Sequence, residues 1–223
     1  MTRELKTGHR GPARGEAERI VVLLHGYGAD GNDLLGLADP LMPHMSGTAF
    51  LAPNAPEPCV GNPFGYQWFP IPWLDGSSEA SAAESMAKSV EDVNAFLDAV
   101  LRDEGIAPKD LMLVGFSQGT MMSLYVAPRR DEQFACVVGF SGRLIDENLA
   151  EEAKVRPPVL LVHGDQDEMI PVADMSTAET GLLAAGVHVT SHISRGIGHG
   201  IAPDGLTLAL QFLMQHLGIS APG

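Results

Sequence analysis

Gly115-Phe116-Ser117-Gln118-Gly119 holds a serine between glycines placed two residues before and two after it. Alone, such a pentapeptide is a weak signal in a chain of 223 residues with 25 glycines. Its surroundings decide. The apolar run Leu111 to Gly115 precedes it and a helical pattern over 118–127 follows it, so Ser117 falls at a strand-to-helix turn. At so tight a turn a Cβ on either flank would clash and the serine is forced into strain. The helix N-terminus behind it favours developing negative charge. This is the nucleophile elbow, a setting for acyl transfer.

A serine hydroxyl is a poor nucleophile without a base, and the base needs an orienting acid. With this kind of elbow the three follow in the order serine, acid, histidine. After the apolar run Pro158 to Val162 comes His163-Gly164-Asp165-Gln166-Asp167-Glu168-Met169-Ile170-Pro171, and later comes Gly196-Ile197-Gly198-His199-Gly200. Asp167 and His199 are the candidate acid and base. Of the other histidines, His9 lies near the N-terminus, His44 and His216 at helix ends, His188 and His192 in a strand pattern, and His25 before the serine. His163 is the serious rival, but it is too close to the acid loop to swing over Ser117 and reads as a strand-end residue bonding its own loop. Asp165, directly after Gly164, is placed to cap the turn. A calcium loop would need a glycine and a distal glutamate that this segment lacks. The oxyanion of an acyl-transfer intermediate needs donors as well. The backbone N–H of Gln118 is one, and the glycine-rich turn His25-Gly26-Tyr27-Gly28 supplies the N–H of Tyr27 as the other. As a phosphate cradle that turn is incomplete, since no lysine follows it.

These residues must be carried by elements. Five short, continuous Val/Leu/Ile-rich runs read as strands buried on both faces: Ile20 to Leu24, Thr48 to Ala52, Leu111 to Phe116, Cys136 to Phe140 and Val159 to His163, with a weaker sixth at Val187 to Ile193. Helical patterns alternate with them at 31–42, 81–104 (behind a Ser81/Glu84 capping box), 118–127, 173–185 and 205–217. The alternation predicts a single α/β domain with a mostly parallel sheet and helices on both faces, its site outside the carboxyl ends of the strands. Residues 20–217 form that domain, preceded by a flexible extension at 1–19 and followed by a tail at 218–223. Pro53 to Gly76, with six prolines and both tryptophans, fits no regular pattern. It is either a functional loop or a surface loop whose aromatics pack on the core.

Composition sets the bounds. The chain has 14 basic and 28 acidic residues, net −14, and from residue 20 onward the excess is greater because five of the cations lie in the first nineteen positions. Such a surface repels a phosphate backbone, which argues against a nucleic-acid partner. No stretch is apolar for long enough to span a membrane, and the N-terminus has no signal-like apolar core, so a cytoplasmic protein without stable membrane insertion is expected. Cys59 and Cys136 lie in unlike contexts and read as core residues of a reducing compartment. Neither a metal nor a cofactor is implied. The partner expected is a small-molecule ester, and the oligomeric state is open, a homodimer included.

LLHGYGADG, LVGFSQGTMMSL, FSGRL, PVLLVHGDQDEMIP and GIGHGIAPDG, in this order and spacing, resemble the phospholipase/carboxylesterase family of α/β-hydrolases, which includes the acyl-protein thioesterases. The resemblance covers about residues 20–217. It implies an α/β-hydrolase fold, Ser117, Asp167 and His199 as a triad, and Tyr27 and Gln118 as oxyanion donors, in agreement with the positional reading. It also implies that Tyr66-Gln67-Trp68-Phe69 borders an acyl pocket, although Pro70 stands where many members have an aspartate. Trp68, Phe69, Trp73 and Leu74, with Ile201 beside the base, are the expected pocket residues. The function expected is a serine carboxylesterase acting on short- to medium-chain esters. The alternatives are an acyl-protein or acyl-coenzyme A thioesterase or lysophospholipase and, more remotely, a non-catalytic ligand-binding member of the fold.

Overall fold

The computed structural model describes residues 2–145 and 148–219. Its strands are β1 (Thr7–Arg10), β2 (Arg19–Leu24), β3 (Thr48–Pro53), β4 (Glu57–Pro58), β5 (Tyr66–Gln67), β6 (Leu111–Phe116), β7 (Cys136–Phe140), β8 (Val159–Gly164) and β9 (Val189–Ser194). Its helices are α1 (Gly31–Leu35), α2 (Ala38–Leu41), α3 (Pro72–Asp75), α4 (Glu79–Glu104), α5 (Gln118–Val126), α6 (Leu149–Glu152), α7 (Ala173–Ala184) and α8 (Pro203–His216). Seven strands make one sheet in the order β1-β3-β2-β6-β7-β8-β9, parallel throughout except for β1, and β4 and β5 pair as a separate ribbon. This is the expected single-domain α/β-hydrolase fold.

Each continuous apolar run splits its side chains between the two faces, as the period of two requires. Ile20, Val22 and Leu24 of β2 pack with Val93 and Leu97 of α4, Met122 of α5 and Leu182 of α7. Val21 and Leu23 pack on the other side with Leu34 and Leu35 of α1 and Leu213 of α8. The strand order reverses between β2, which leads outward to β3, and β6, which leads the other way to β7. Connections leaving β2 and β6 therefore part at their carboxyl ends and open a crevice there. Register keeps those ends level: Leu24 lies opposite Gly115, Gly115 opposite Gly139, and Phe116 opposite Phe140.

Several expectations are corrected. Residues 2–19 are not a free extension, because Thr7–Arg10 runs antiparallel to β3, with Gly8 opposite Ala52, and Leu5 is buried. Backbone pairing holds this edge strand, and backbone pairing needs no apolar pattern that a sequence would display. At the other end, Gly218 turns at φ 63° and the Ile219 N–H bonds to the Met214 carbonyl, closing α8, while residues 220–223 lie outside the described residues. The single helix expected over 31–42 is two, parting after Leu35. The long helix begins at Glu79 rather than 81, because Ser78 is the residue whose hydroxyl accepts the Ser81 N–H. His188 falls just outside β9, and within Pro53 to Gly76 the β4–β5 ribbon and α3 give the loop structure of its own.

Arg3 fixes the N-terminal segment to the domain. Its backbone N–H and Nε both donate to Asp92, at 2.6 and 2.7 Å, and its Nη1 donates to Glu57 at 3.2 Å. The Asp92 side chain is only 3% exposed, so removing the guanidinium strands its buried Oδ2, although the backbone N–H still reaches Oδ1. We expect Arg3→Ala to lower stability by roughly 1–3 kcal/mol in urea unfolding. A free extension would leave the midpoint unchanged.

Candidate active site

The backbone creates the elbow. Ser117 sits at φ 53° and ψ −114° between β6 and α5, a conformation that L residues rarely adopt. A Cβ on Gly119 would lie 1.8 Å from the Leu24 carbonyl oxygen, and one on Gly115 would lie 2.4 Å from the Thr120 nitrogen. Both glycines are thus required by close backbone approach. The Ser117 N–H donates to the Phe140 carbonyl at 2.9 Å, which moors the elbow to β7.

Asp167 and His199 meet. The His199 Nδ1–H donates to Asp167 Oδ2 at 2.8 Å, and Asp167 Oδ1 accepts the N–H groups of Met169 and Ile170, both at 2.9 Å. Burial would raise this carboxyl, but the bonds from Ile170, His199 and Met169 outweigh it and hold it below the ordinary carboxylate value. The His199 ring packs on Phe116, beside Ser117, with centroids 5.0 Å apart. Ser117 Oγ makes no hydrogen bond among the described residues. The rival His163 directs its Nε2 to the Ile170 carbonyl at 2.9 Å, with Asp167 at 3.3 Å, and so braces the acid loop as expected. Asp165 takes the Gly196 N–H at 2.6 Å and ties the acid loop to the histidine loop.

The Tyr27 and Gln118 N–H groups, expected as oxyanion donors, have no partner among the described residues, and the two loops that carry them touch. A Cβ on Gly26 would lie 3.2 Å from the Ser117 Cβ.

A family model described as Phospholipase/Carboxylesterase matches residues 12–217. The chain belongs to that family. It is 27% identical over 207 residues to esterase YpfH of Escherichia coli strain K12, covering 92% of this chain and 84% of that one. It is 30% identical over 216 residues to acyl-protein thioesterase 1 of Kluyveromyces lactis, covering 90% and 93%. Among solved structures, esterase PE8 matches with a TM-score of 0.89 and 41% identity over 96% of this chain and 100% of that one. This phospholipase/carboxylesterase-family member is a hydrolase of the carboxylesterase and acyl-protein thioesterase type.

The expected pocket residues divide. Ile201, together with Phe116, Gly26, Ala29, Leu34 and Leu37, lines a cavity of about 320 Å³ next to the elbow. Trp68 does not reach it: its side chain is fully buried in the core, its Nε1–H bonded to the His25 carbonyl at 2.9 Å, and Phe69 is buried with it. Trp73 and Leu74 are 67% and 49% exposed on α3. The aromatic pair thus packs under the loop while α3 remains in solvent, a division that composition could not make.

Three side chains position the site in ways that no sequence signal displays. The buried Gln118 side chain hooks the aromatic segment, accepting the Trp68 N–H at 2.9 Å and donating to the Phe69 carbonyl at 2.7 Å. Ser141, at the end of β7 with φ 47°, donates through Oγ to the Gly200 carbonyl at 3.3 Å, next to the candidate base. His25 donates from Nδ1 to the Gly26 carbonyl at 2.7 Å and accepts the Ala55 N–H at Nε2 at 2.8 Å, which fixes one neutral tautomer.

Burial pushes the His25 imidazole below its ordinary value. A group whose folded pKa is depressed contributes stability that is present above the unfolded pKa and is lost as pH falls toward the folded one. The melting temperature should therefore begin to decline as pH drops below about 6.5. His25→Gln should be less stable at pH 8 yet show a shallower decline, and an unchanged slope would assign the loss to other groups.

Proposed function

We propose that the chain is a serine carboxylesterase hydrolysing short- to medium-chain carboxylic esters through an acyl-enzyme. The observation that carries the reading is the Asp167–His199 hydrogen bond at the same sheet edge as the strained Ser117. His199 Nε2 takes the Ser117 proton as Oγ attacks the ester carbonyl, and Asp167 holds the ring by Nδ1 and stabilises the imidazolium. The tetrahedral oxyanion is received by the N–H groups of Tyr27 and Gln118. His199 then protonates the departing alcohol, and a water activated by His199 releases the acid. The link between Ser117 Oγ and His199 closes when substrate is bound, as is common for catalytic hydrogen bonds.

The cavity beside the elbow takes the acyl chain, and its volume is near the lower end for ligand sites. The thioesterase reading is kept beside the main one because of the acyl-protein thioesterase relative, and both use one mechanism. No helix among the described residues is long and apolar enough to cross a membrane. With Cys59 and Cys136 both buried and free, we assign the enzyme to the reducing cytoplasm.

Ser117→Ala should remove ester hydrolysis and labelling by a fluorophosphonate probe while the protein stays folded. Near-normal turnover by the folded variant would end the proposal. Asp167→Asn should lower kcat by up to about ten-thousand-fold. Asp165→Asn, whose amide oxygen can still accept from Gly196, should cost far less, and the reverse order would mean the acid is misassigned.

Acyl length provides a separate measurement. On p-nitrophenyl esters, kcat/KM should rise from acetate through butyrate by up to roughly fourfold per methylene, since each buried methylene contributes about 0.8 kcal/mol. It should then level off. Leu37→Trp should shift the optimum to shorter chains. Trp68→Ala should lower stability without moving the profile, and a shifted profile in that variant would return Trp68 to the pocket.

A further inference from the structure

The Tyr27 side chain points away from the role proposed for its backbone. Its phenol donates to Asp75 Oδ2 at 3.0 Å and accepts the Gly61 N–H at 3.2 Å. Asp75 closes α3, 48 residues further along the chain, and its carboxylate also takes the Ile71 N–H on Oδ2 at 2.8 Å and the Ser77 N–H on Oδ1 at 2.9 Å. One carboxylate thus gathers both ends of the α3 turn and the residue that supplies an oxyanion donor. The backbone that follows Tyr27 is tied to the segment before Trp68. The Gly28 N–H bonds to the Tyr66 carbonyl at 2.9 Å and the Tyr66 N–H to the Ala29 carbonyl at 2.8 Å, while a Cβ on Gly65 would sit 2.0 Å from the Gly28 carbonyl oxygen.

We propose that Asp75 is a positioning residue for the oxyanion hole, acting through the Tyr27 phenol to aim the Tyr27 N–H at the developing oxyanion. The proposal rests on the esterase reading above. The bond is suited to permanence. Despite burial, the donors around Asp75 hold its carboxyl below the ordinary value, and burial, with Cys59 and Asp75 nearby, pushes the Tyr27 phenol above its own. Acceptor and donor therefore keep their roles across the working pH range. Gln118 needs no such guy-rope, because its N–H is set by the elbow and α5. Tyr27 lies in a loop of glycines, where the backbone could turn the N–H aside.

Removing an oxyanion donor outright slows catalysis by about a hundred- to a thousandfold. Here the donor remains and is only less well aimed, so the effect should be smaller, on the order of tenfold. Tyr27→Phe deletes one oxygen and keeps the N–H. It should lower kcat about tenfold with KM nearly unchanged, and by the same factor for p-nitrophenyl acetate and butyrate. Asp75→Ala should do the same, and the double variant should be no worse than the worse single one. Melting temperatures, measured alongside, separate this from general damage to the loop.

The proposal is overturned if Tyr27→Phe retains full kcat, or if the two losses multiply in the double variant. It is also overturned if the losses appear in KM and grow with acyl length, the pattern of a residue that merely supports a substrate wall. In each case the parent enzyme would still hydrolyse esters and lose that activity on Ser117→Ala, so the esterase reading would stand. Failure of the parent itself to turn over any ester would count against that reading instead.

Discussion

A strained serine backbone governs the arrangement of this molecule. Holding a non-glycine residue at φ 53° costs about 1–3 kcal/mol and persists only where its surroundings leave no alternative. Here those surroundings are a buried central strand before it, a buried helix after it, and contact of Gly119 with the Leu24 carbonyl across the switch point. That contact matters beyond the serine. It presses the start of α5 against the carboxyl end of β2, so the loop that leaves β2 runs beside Ser117 and presents Gly26 and Tyr27 to it. A side chain at position 119 would part the two candidate oxyanion donors as well as relax the elbow.

The loops arriving at this edge are held by side-chain hydrogen bonds to the backbone of other segments. Gln118 grips the aromatic segment, His25 pins Ala55, Asp165 grips Gly196, and Ser141 reaches Gly200. Each bond joins segments far apart in sequence, and those of Gln118 and His25 are buried, where a missing partner would cost about 1–3 kcal/mol. The candidate triad therefore rests on a second layer of bonds that fixes loops to one another, while the sheet fixes only where each loop begins. Ser141 shows the two layers merging. It is a second strained residue, one strand over from Ser117, and its hydroxyl meets the loop that carries His199.

The parts of this design that were legible in the sequence share a local signature. Strands β2, β3, β6, β7 and β8 are continuous apolar runs, and the elbow is a serine flanked by glycines at a strand-to-helix change. The candidate acid and base, which the structure brings within 2.8 Å of each other, follow strand ends in a fixed order. What was hidden depends on partners remote in sequence. β1 is polar and is held by pairing with β3. The cap of α4 is Ser78 rather than Ser81 because the preceding turn, with Gly76 at φ 74°, sets where the helix can begin. Trp68 and Trp73, five residues apart in one loop, have opposite fates, since His25 and Gln118 draw the first inward while α3 holds the second outside. Nothing local distinguishes the two.

That divergence bears on what the cavity can accept. With Trp68 withdrawn into the core beneath α4 and α5, the cavity walls come from the opposite side of the sheet, through Leu34, Leu37, Phe116 and Ile201. The polar wall groups are already engaged. His25 is held neutral by its two bonds, and the Asp33 carboxylate accepts the Asp30 N–H at 3.0 Å in the box that caps α1. A group entering this space meets apolar surface and no unpaired cation, so an anionic acyl chain would lose its hydration without compensation, whereas an uncharged one is favoured by burial. On the esterase reading, selectivity for neutral chains of limited length follows from which face of the sheet the tryptophan occupies, and that is settled by the His25 carbonyl and the Gln118 side chain, which hold Trp68 on the face opposite the cavity.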